Sequence, residues 1–339
     1  MVLGRLFGKK KAAKKMPLAE LHCHIEGTIS PELALKLAEK HKMDLSHIIS
    51  KDKTYKWSTF PEFLDVYDEV CNAVQTPEDY YDLTYDYLSK AAAQGLIYSE
   101  MFVSAEHPEE VGISYPTFLD AVDRAFADIE REFGVHGRLI LTAIRHRGAE
   151  RAERTARLAE KFPHPRVVGF GLAGDESQLH PKDFARAYEM ASDAGLKKTV
   201  HAGEVEGPQS IRDALEALRP HRIGHGVRVG EDPALVEELK ESQIPLELCP
   251  SSNVAIGAFS SLEEHPIARY KEKGLNVTLS TDDPPFFFTS LGEEYERVAK
   301  AHQLNDSDMM VFTQNSIEAA FCDEATKVVL RERIAAWKD

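Results

Sequence analysis

Only four cysteines occur in 339 residues, and Cys23, Cys71, Cys249 and Cys322 stand far apart with no C-x-x-C pair. That scarcity argues against a disulfide framework and a thiolate zinc knot, and it fits a reducing cytoplasm. Apolar runs fall well short of the roughly 20 residues that a membrane-spanning helix needs, so no membrane partner is expected. Positive charge is scarce as well. Lys and Arg number 41 against 56 Asp and Glu, a net charge of −15, which disfavours nucleic acid because phosphate contacts are made by Lys and Arg. One stretch departs from this balance: Arg5, Lys9, Lys10, Lys11, Lys14 and Lys15 precede Met16 without an acidic residue. It lacks the apolar centre of a cleavable signal. Residues 1–16 therefore read as a disordered basic extension, and residues 17–339 as one domain undivided by any Gly- or Ser-rich linker.

What is present is a repeated phrase. Hydrophobic residues make up 43% of the chain, enough for a large core. From Pro17 onward, short apolar or β-branched runs alternate with longer stretches of helical periodicity, the pattern of βα units. Strands are predicted at 19–26, 96–104, 138–145, 167–174, 198–204, 222–227, 245–250 and 276–282. Helices at 114–133, 181–194, 233–241 and 265–273 fill intervals between them. Eight such units predict an α/β fold, a closed (β/α)8 TIM barrel. The interval 27–94 is too long for one helix and reads as a helical insertion after strand one, well placed to form a lid.

In such barrels chemistry sits at the carboxyl ends of the strands. His22 and His24 flank Cys23, and because side chains alternate along a strand, the two imidazoles share a face while Cys23 points away. Glu26 joins that face. Strand five ends in His201 and Glu204, strand six in His225, strand eight in Asp282 and Asp283. Each has a bland structural reading alone: His225 as a turn residue, Glu204 as a carboxylate at a helix start, Asp282 as an N-cap. Their joint placement at one mouth points to a site. His22, His24, His201 and Asp282 supply three nitrogens and one oxygen, a set that suits zinc and leaves a position open for water. Metal-bound water is a hydroxide source near neutral pH. Glu204 is the carboxyl placed to exchange a proton with substrate. His225 can orient the water or take its proton. Asp283, next to a ligand, points toward substrate, and Gly174 can offer its backbone N–H to a closely approaching ligand.

The motifs H-x-H-x-E-G, G-L-A-G-D-E, H-A-G-E, G-H-G and S-T-D-D-P, in this order and spacing, resemble the adenosine and adenine deaminases of the amidohydrolase superfamily from about Pro17 to the end. The resemblance implies one zinc per chain on His22, His24, His201 and Asp282, with hydroxide attack at C6 of a purine. It also implies that Glu204 protonates N1, His225 assists the attacking water, Asp283 hydrogen-bonds N7, the Gly174 amide holds N3, and ammonia leaves. Phe63, Leu64 and Tyr67 match the apolar lid helix of that family. The partner implied is a small-molecule purine nucleoside or base, in purine salvage or catabolism. Stretch 167–174 has no lysine to bridge two metals, and the P-C-x-x-C that cytidine-type deaminases combine with H-x-E is missing.

Glu26 is the departure that bears on substrate. Adenosine deaminases usually carry Asp there, reaching the ribose 5′-hydroxyl, whereas Glu is common among adenine deaminases. Residues 171–176 and the run Cys249-Pro250-Ser251-Ser252-Asn253 resemble the adenosine enzymes. The expectation is thus deamination of adenosine to inosine, and of 2′-deoxyadenosine to 2′-deoxyinosine. The alternatives are adenine to hypoxanthine, or an N6-substituted or modified purine. A non-catalytic nucleoside-binding barrel would be expected to lack a ligand, the acid or the base, and none is missing. Oligomeric state is not legible in the surface helices.

Overall fold

The computed structural model describes residues 15–338, so nearly all of the basic 1–16 segment lies outside the described residues. Eight strands run β1 (Leu18–His24), β2 (Leu96–Ser104), β3 (His136–Ile144), β4 (Val167–Ala173), β5 (Lys197–Ala202), β6 (Arg222–His225), β7 (Leu246–Leu248) and β8 (Val277–Leu279). Each pairs in parallel with the next, β1 through β8. Parallel strands covered on both faces read as continuous apolar runs, and β2 is buried at every residue.

The ring closes between β8 and β1 through a single bridge, Cys23 opposite Asp282. His24 N donates to the Asp282 carbonyl at 3.0 Å, and Asp282 N donates to the His22 carbonyl at 3.0 Å. Side chains finish the seam where the ladder is short. Ser280 Oγ accepts Leu21 N at 3.2 Å, and the buried Glu20 carboxylate accepts from Thr281 N at 3.1 Å and from the hydroxyls of Thr281 and Tyr87 at 2.5 Å each. The result is the (β/α)8 barrel expected from the sequence.

Strands five to eight are shorter than predicted: β7 gives way directly to the helix that starts at Pro250, and elsewhere left-handed residues mark the mouth. Gly203 (φ 68°), His225 (φ 58°), Gly226 (φ 64°) and Asp282 (φ 68°) adopt the left-handed conformation, which turns the chain out of the ladder at the mouth. Strand one also ends early: Glu26 lies in a single 3-10 turn, Glu26–Thr28, rather than on the strand face with His22 and His24. The helices predicted at 265–273 and 181–194 shorten to Ile267–Glu272 and to Ala185–Asp193 behind a 3-10 turn.

Between β1 and β2 lie α1 (Pro31–His41), α2 (Phe60–Cys71) and α3 (Pro77–Gln94). Their starts share one device, a Ser or Thr cap with proline in the first turn: Ser30 accepts Leu33 N, Thr59 accepts Glu62 N, and Thr76 forms a capping box with Asp79. Next come α4 (Glu106–Glu110) and α5 (Tyr115–Phe133), the second capped by Ser114. Phe118, Val122, Phe126 and Ile129 form the apolar stripe of α5, all fully buried. The Phe118 ring meets Tyr80 of α3 edge-on at 4.7 Å. Among the described residues no helix is long and apolar enough to cross a membrane.

Truncating Phe118 to Ala should cost about 3–5 kcal/mol of stability, because the transfer free energy and the contacts of a buried ring are lost together. The urea midpoint should fall at an unchanged slope; a midpoint within error of the parent would place Phe118 outside the core.

Candidate active site

The carboxyl ends of the strands surround a cavity of about 710 Å³, counted out to its open mouth. Its floor carries His24, His201, Glu204, His225, Asp282 and Asp283; α2 contributes Phe60, Phe63, Leu64 and Tyr67 above them. Glu26 and Gly174 line the walls. Every site residue read from the sequence therefore faces this space except His22, which sits beneath it, fully buried.

The ligand candidates converge. Asp282 Oδ1 stands 3.4 Å from His22 Nε2 and 3.3 Å from His24 Nε2, which is itself 3.3 Å from His201 Nε2. Donor atoms of His22, His201, His225 and Asp282 fall within 4.8 Å of one another, and those of His24, Asp282 and Asp283 form a second such group. Imidazole nitrogens this close to each other and to a carboxylate suit a shared cation, and His22 Nε2 is buried with no hydrogen-bond partner. Three nitrogens and one oxygen are a donor set of the kind that first-row divalent metals accept.

A second layer orients these groups. Glu247 on β7 lies 2.8 Å from His22 Nδ1, so Nδ1–H donates to that carboxylate and Nε2 is the nitrogen aimed at the site. Arg222 Nε donates to Glu247 at 2.5 Å, and Arg222 Nη1 pairs with Glu100 at 2.7 Å. Burial opposes ionisation of Glu247, but Arg222 and His22 outweigh it and hold the carboxyl below its usual range. Ser252 Oγ donates to Asp282 Oδ2 at 2.8 Å. Glu176 accepts the backbone N–H groups of Glu204, Val205 and Glu206 at 3.0 Å each, together with Gly203 N and the Ser210 hydroxyl, and so fixes the loop that carries Glu204.

Burial, aided by the Asp282 and Glu176 carboxylates, pushes Glu204 well above the ordinary carboxyl range. Asp283 is pushed up likewise, by burial and then by Asp282 and Glu204. Gly27 has a specific reason to lack a side chain: a Cβ there would lie 1.7 Å from Asp283 Oδ1. Gly174 has φ 93°, and a Cβ on it would press to 2.8 Å from His146 Nδ1.

A family model described as adenosine deaminase matches residues 17–337. The chain belongs to the adenosine deaminase family. Within that family it is similar to an adenine deaminase of Sinorhizobium fredii, 45% identical over 318 residues that cover 94% of this chain and 97% of the relative. Among solved structures, an adenine deaminase from Arthrobacter aurescens superposes with a TM-score of 0.89 at 33% identity, covering 95% of this chain and 99% of that one. An amidohydrolase from Burkholderia ambifaria with bound zinc gives a TM-score of 0.84 at 25% identity, covering 98% and 94%. Family membership makes the chain a hydrolytic deaminase acting on purines.

Sequence reading missed several residues that line this cavity. His107 on α4 places Nδ1 3.7 Å from Glu26 Oε1 and Nε2 3.3 Å from Asp68 on α2, tying the turn after β1 to the helix over the cavity. Ser104, Thr142 and His146 also line the cavity. Ser104 ends β2 and Thr142 lies on β3, so their strand positions were a usable signal; His107 and His146 sit in helical turns that no periodicity singles out.

Glu247→Gln keeps the shape but removes the charge behind His22, and metal affinity should fall about 10–100-fold. Competition with a chromophoric chelator measures it; unchanged affinity would show that Glu247 does not support the ligand.

Proposed function

We propose that the chain is a metal-dependent adenine deaminase that converts adenine and water to hypoxanthine and ammonia. The observation that carries this reading is full-length similarity to proteins named adenine deaminase, with Glu26 buried in the cavity wall where a shorter Asp would leave room. This takes the second of the substrates read from the sequence in place of adenosine. His22, His24, His201 and Asp282 would hold one zinc ion, which would acidify a water molecule at that position.

The protein's own groups then do the following. Glu204, buried and raised toward its protonated form, is the carboxyl that hands a proton to purine N1 as oxygen adds at C6. Asp283 faces N7 and the Gly174 amide faces N3, so that the ring is held by its edges. Phe63, Leu64 and Tyr67 of α2 lie over the purine as a lid and keep bulk water from the reacting carbon. Glu26, whose buried Oε1 accepts no hydrogen bond and lies 3.7 Å from His107 Nδ1, occupies the end of the cavity where a ribose would project.

Purified zinc-loaded protein should change the purine ultraviolet band of adenine with kcat/KM at least about 100-fold above that for adenosine, as expected when a site excludes a whole added group. Equal or inverted preference would return the assignment to the nucleoside. Glu204→Gln should retain its metal while kcat drops by about 10²–10⁴, the usual contribution of a positioned acid; near-parental turnover would remove Glu204 from the proton transfer.

A further inference from the structure

The helix Pro250–Ala255 after β7 contains most of the run Cys249–Asn253, of which the site described above uses only Ser252. Asn253 is fully buried between two histidines. Its Nδ2 lies 3.2 Å from His225 Nδ1, and its Oδ1 lies 3.2 Å from His265 Nε2. His265 is 2% exposed, and its Nδ1 accepts the backbone N–H of Ile267 at 3.3 Å.

A backbone N–H only donates, so the chain of contacts can be read in one direction from Ile267. His265 Nδ1 must be bare, which leaves the ring neutral with its proton on Nε2. Burial, with His302, His225 and Arg269 acting in the same sense, lowers His265 to about 3 and agrees with a neutral ring. The Nε2–H needs an acceptor, and this turns the carbonyl oxygen of Asn253 toward His265. The amide nitrogen then faces His225, where Nδ1 has to accept. His225 is therefore neutral, with its proton on Nε2. That atom faces the site, 3.5 Å from Glu204 Oε1 and 4.0 Å from Asp282 Oδ2, with no hydrogen-bond partner.

We propose that Asn253 and His265 are positioning residues that lock His225 in its Nε2–H tautomer, so that His225 donates a hydrogen bond to the oxygen adding at C6. An Nε2 that carries a proton has no lone pair for a metal, and it cannot take a proton from water. His225 thus leaves the ligand group that its donor distances suggest, and His24 completes the set with His22, His201 and Asp282. Of the two roles that the sequence left open for His225, orientation remains and proton abstraction falls away. A fixed donor aimed at charge that develops during reaction contributes about 10²–10³ in rate.

The test has two arms, and only its rate arm rests on the deamination reading. In the zinc-loaded full chain labelled with ¹⁵N-histidine, the His225 resonances, assigned by their loss in His225→Gln, should show protonated Nε2 and bare Nδ1. Protonated Nδ1 would overturn the proposal whatever the substrate proves to be. Asn253→Asp is nearly isosteric but offers only acceptors, so it should draw the His225 proton to Nδ1 and lower kcat on adenine by about 100-fold or more, with metal content retained. An unchanged tautomer in that variant, or a switched tautomer with kcat within about threefold of the parent, would overturn it. Should that variant fail to fold, the spectrum of the parent protein alone decides.

Discussion

The closing contact of the barrel is the constraint on which the site depends. β8 is only three residues long, and it meets β1 through the pair of backbone hydrogen bonds between Asp282 and its neighbours His22 and His24. The bonds that shut the ring therefore set the spacing of three of the four ligand candidates. Asp282 pays no regular strand geometry for this: its φ of 68° swings the side chain inward beneath the mouth. A left-handed non-glycine residue persists only when its surroundings over-determine it. Here they do, through the Ser252 hydroxyl on the carboxylate and the Glu20–Thr281 contacts just below.

Electrostatics explain why the floor needs a second layer. Isolated charges buried in a barrel are costly unless each is paired. Beneath the site Glu100, Arg222 and Glu247 alternate in sign, and the Phe321 ring lies 3.5 Å from the Arg222 guanidinium. This arrangement delivers a carboxylate to His22 Nδ1 while its own negative charge is held by a cation from the next strand. Glu176 solves the same problem differently: four backbone N–H groups and a hydroxyl surround its carboxylate and anchor the loop bearing Glu204.

The division between what the sequence discloses and what it hides follows from range. βα alternation and the position of polar residues at strand ends are local, so the eight-stranded barrel and the residues at its mouth are legible along the chain. The ends of β5 and β6 are less so, because the left-handed conformation at Gly203 and His225 carries no signal in apolar periodicity. Supporting groups are harder still. Glu247 lies 225 residues from His22, and a buried Glu in a three-residue strand has no pattern that names its partner. Asn253 and His265 are close in sequence, yet their meaning depends on the order in which hydrogen bonds run from Ile267 to His225.

The ligand candidates and the far wall of the cavity are consequently carried by different parts of the chain. The reacting end is built on strand termini joined by the barrel's own hydrogen bonds, where a shift of one group would disturb ring closure. The opposite end of the cavity is built from the 3-10 turn at Glu26–Thr28, α2 and α4, joined through His107 to Glu26 and Asp68. Gly27 is the point where the two parts touch, since the space left by its missing side chain is filled by the Asp283 carboxylate. A change of side-chain length at Glu26 alters the cavity wall without touching the ligand candidates, whereas a side chain at Gly27 would displace the Asp283 carboxylate. The turn after β1 can therefore vary the cavity wall at Glu26 only because its neighbour Gly27 is held fixed by the Asp283 carboxylate.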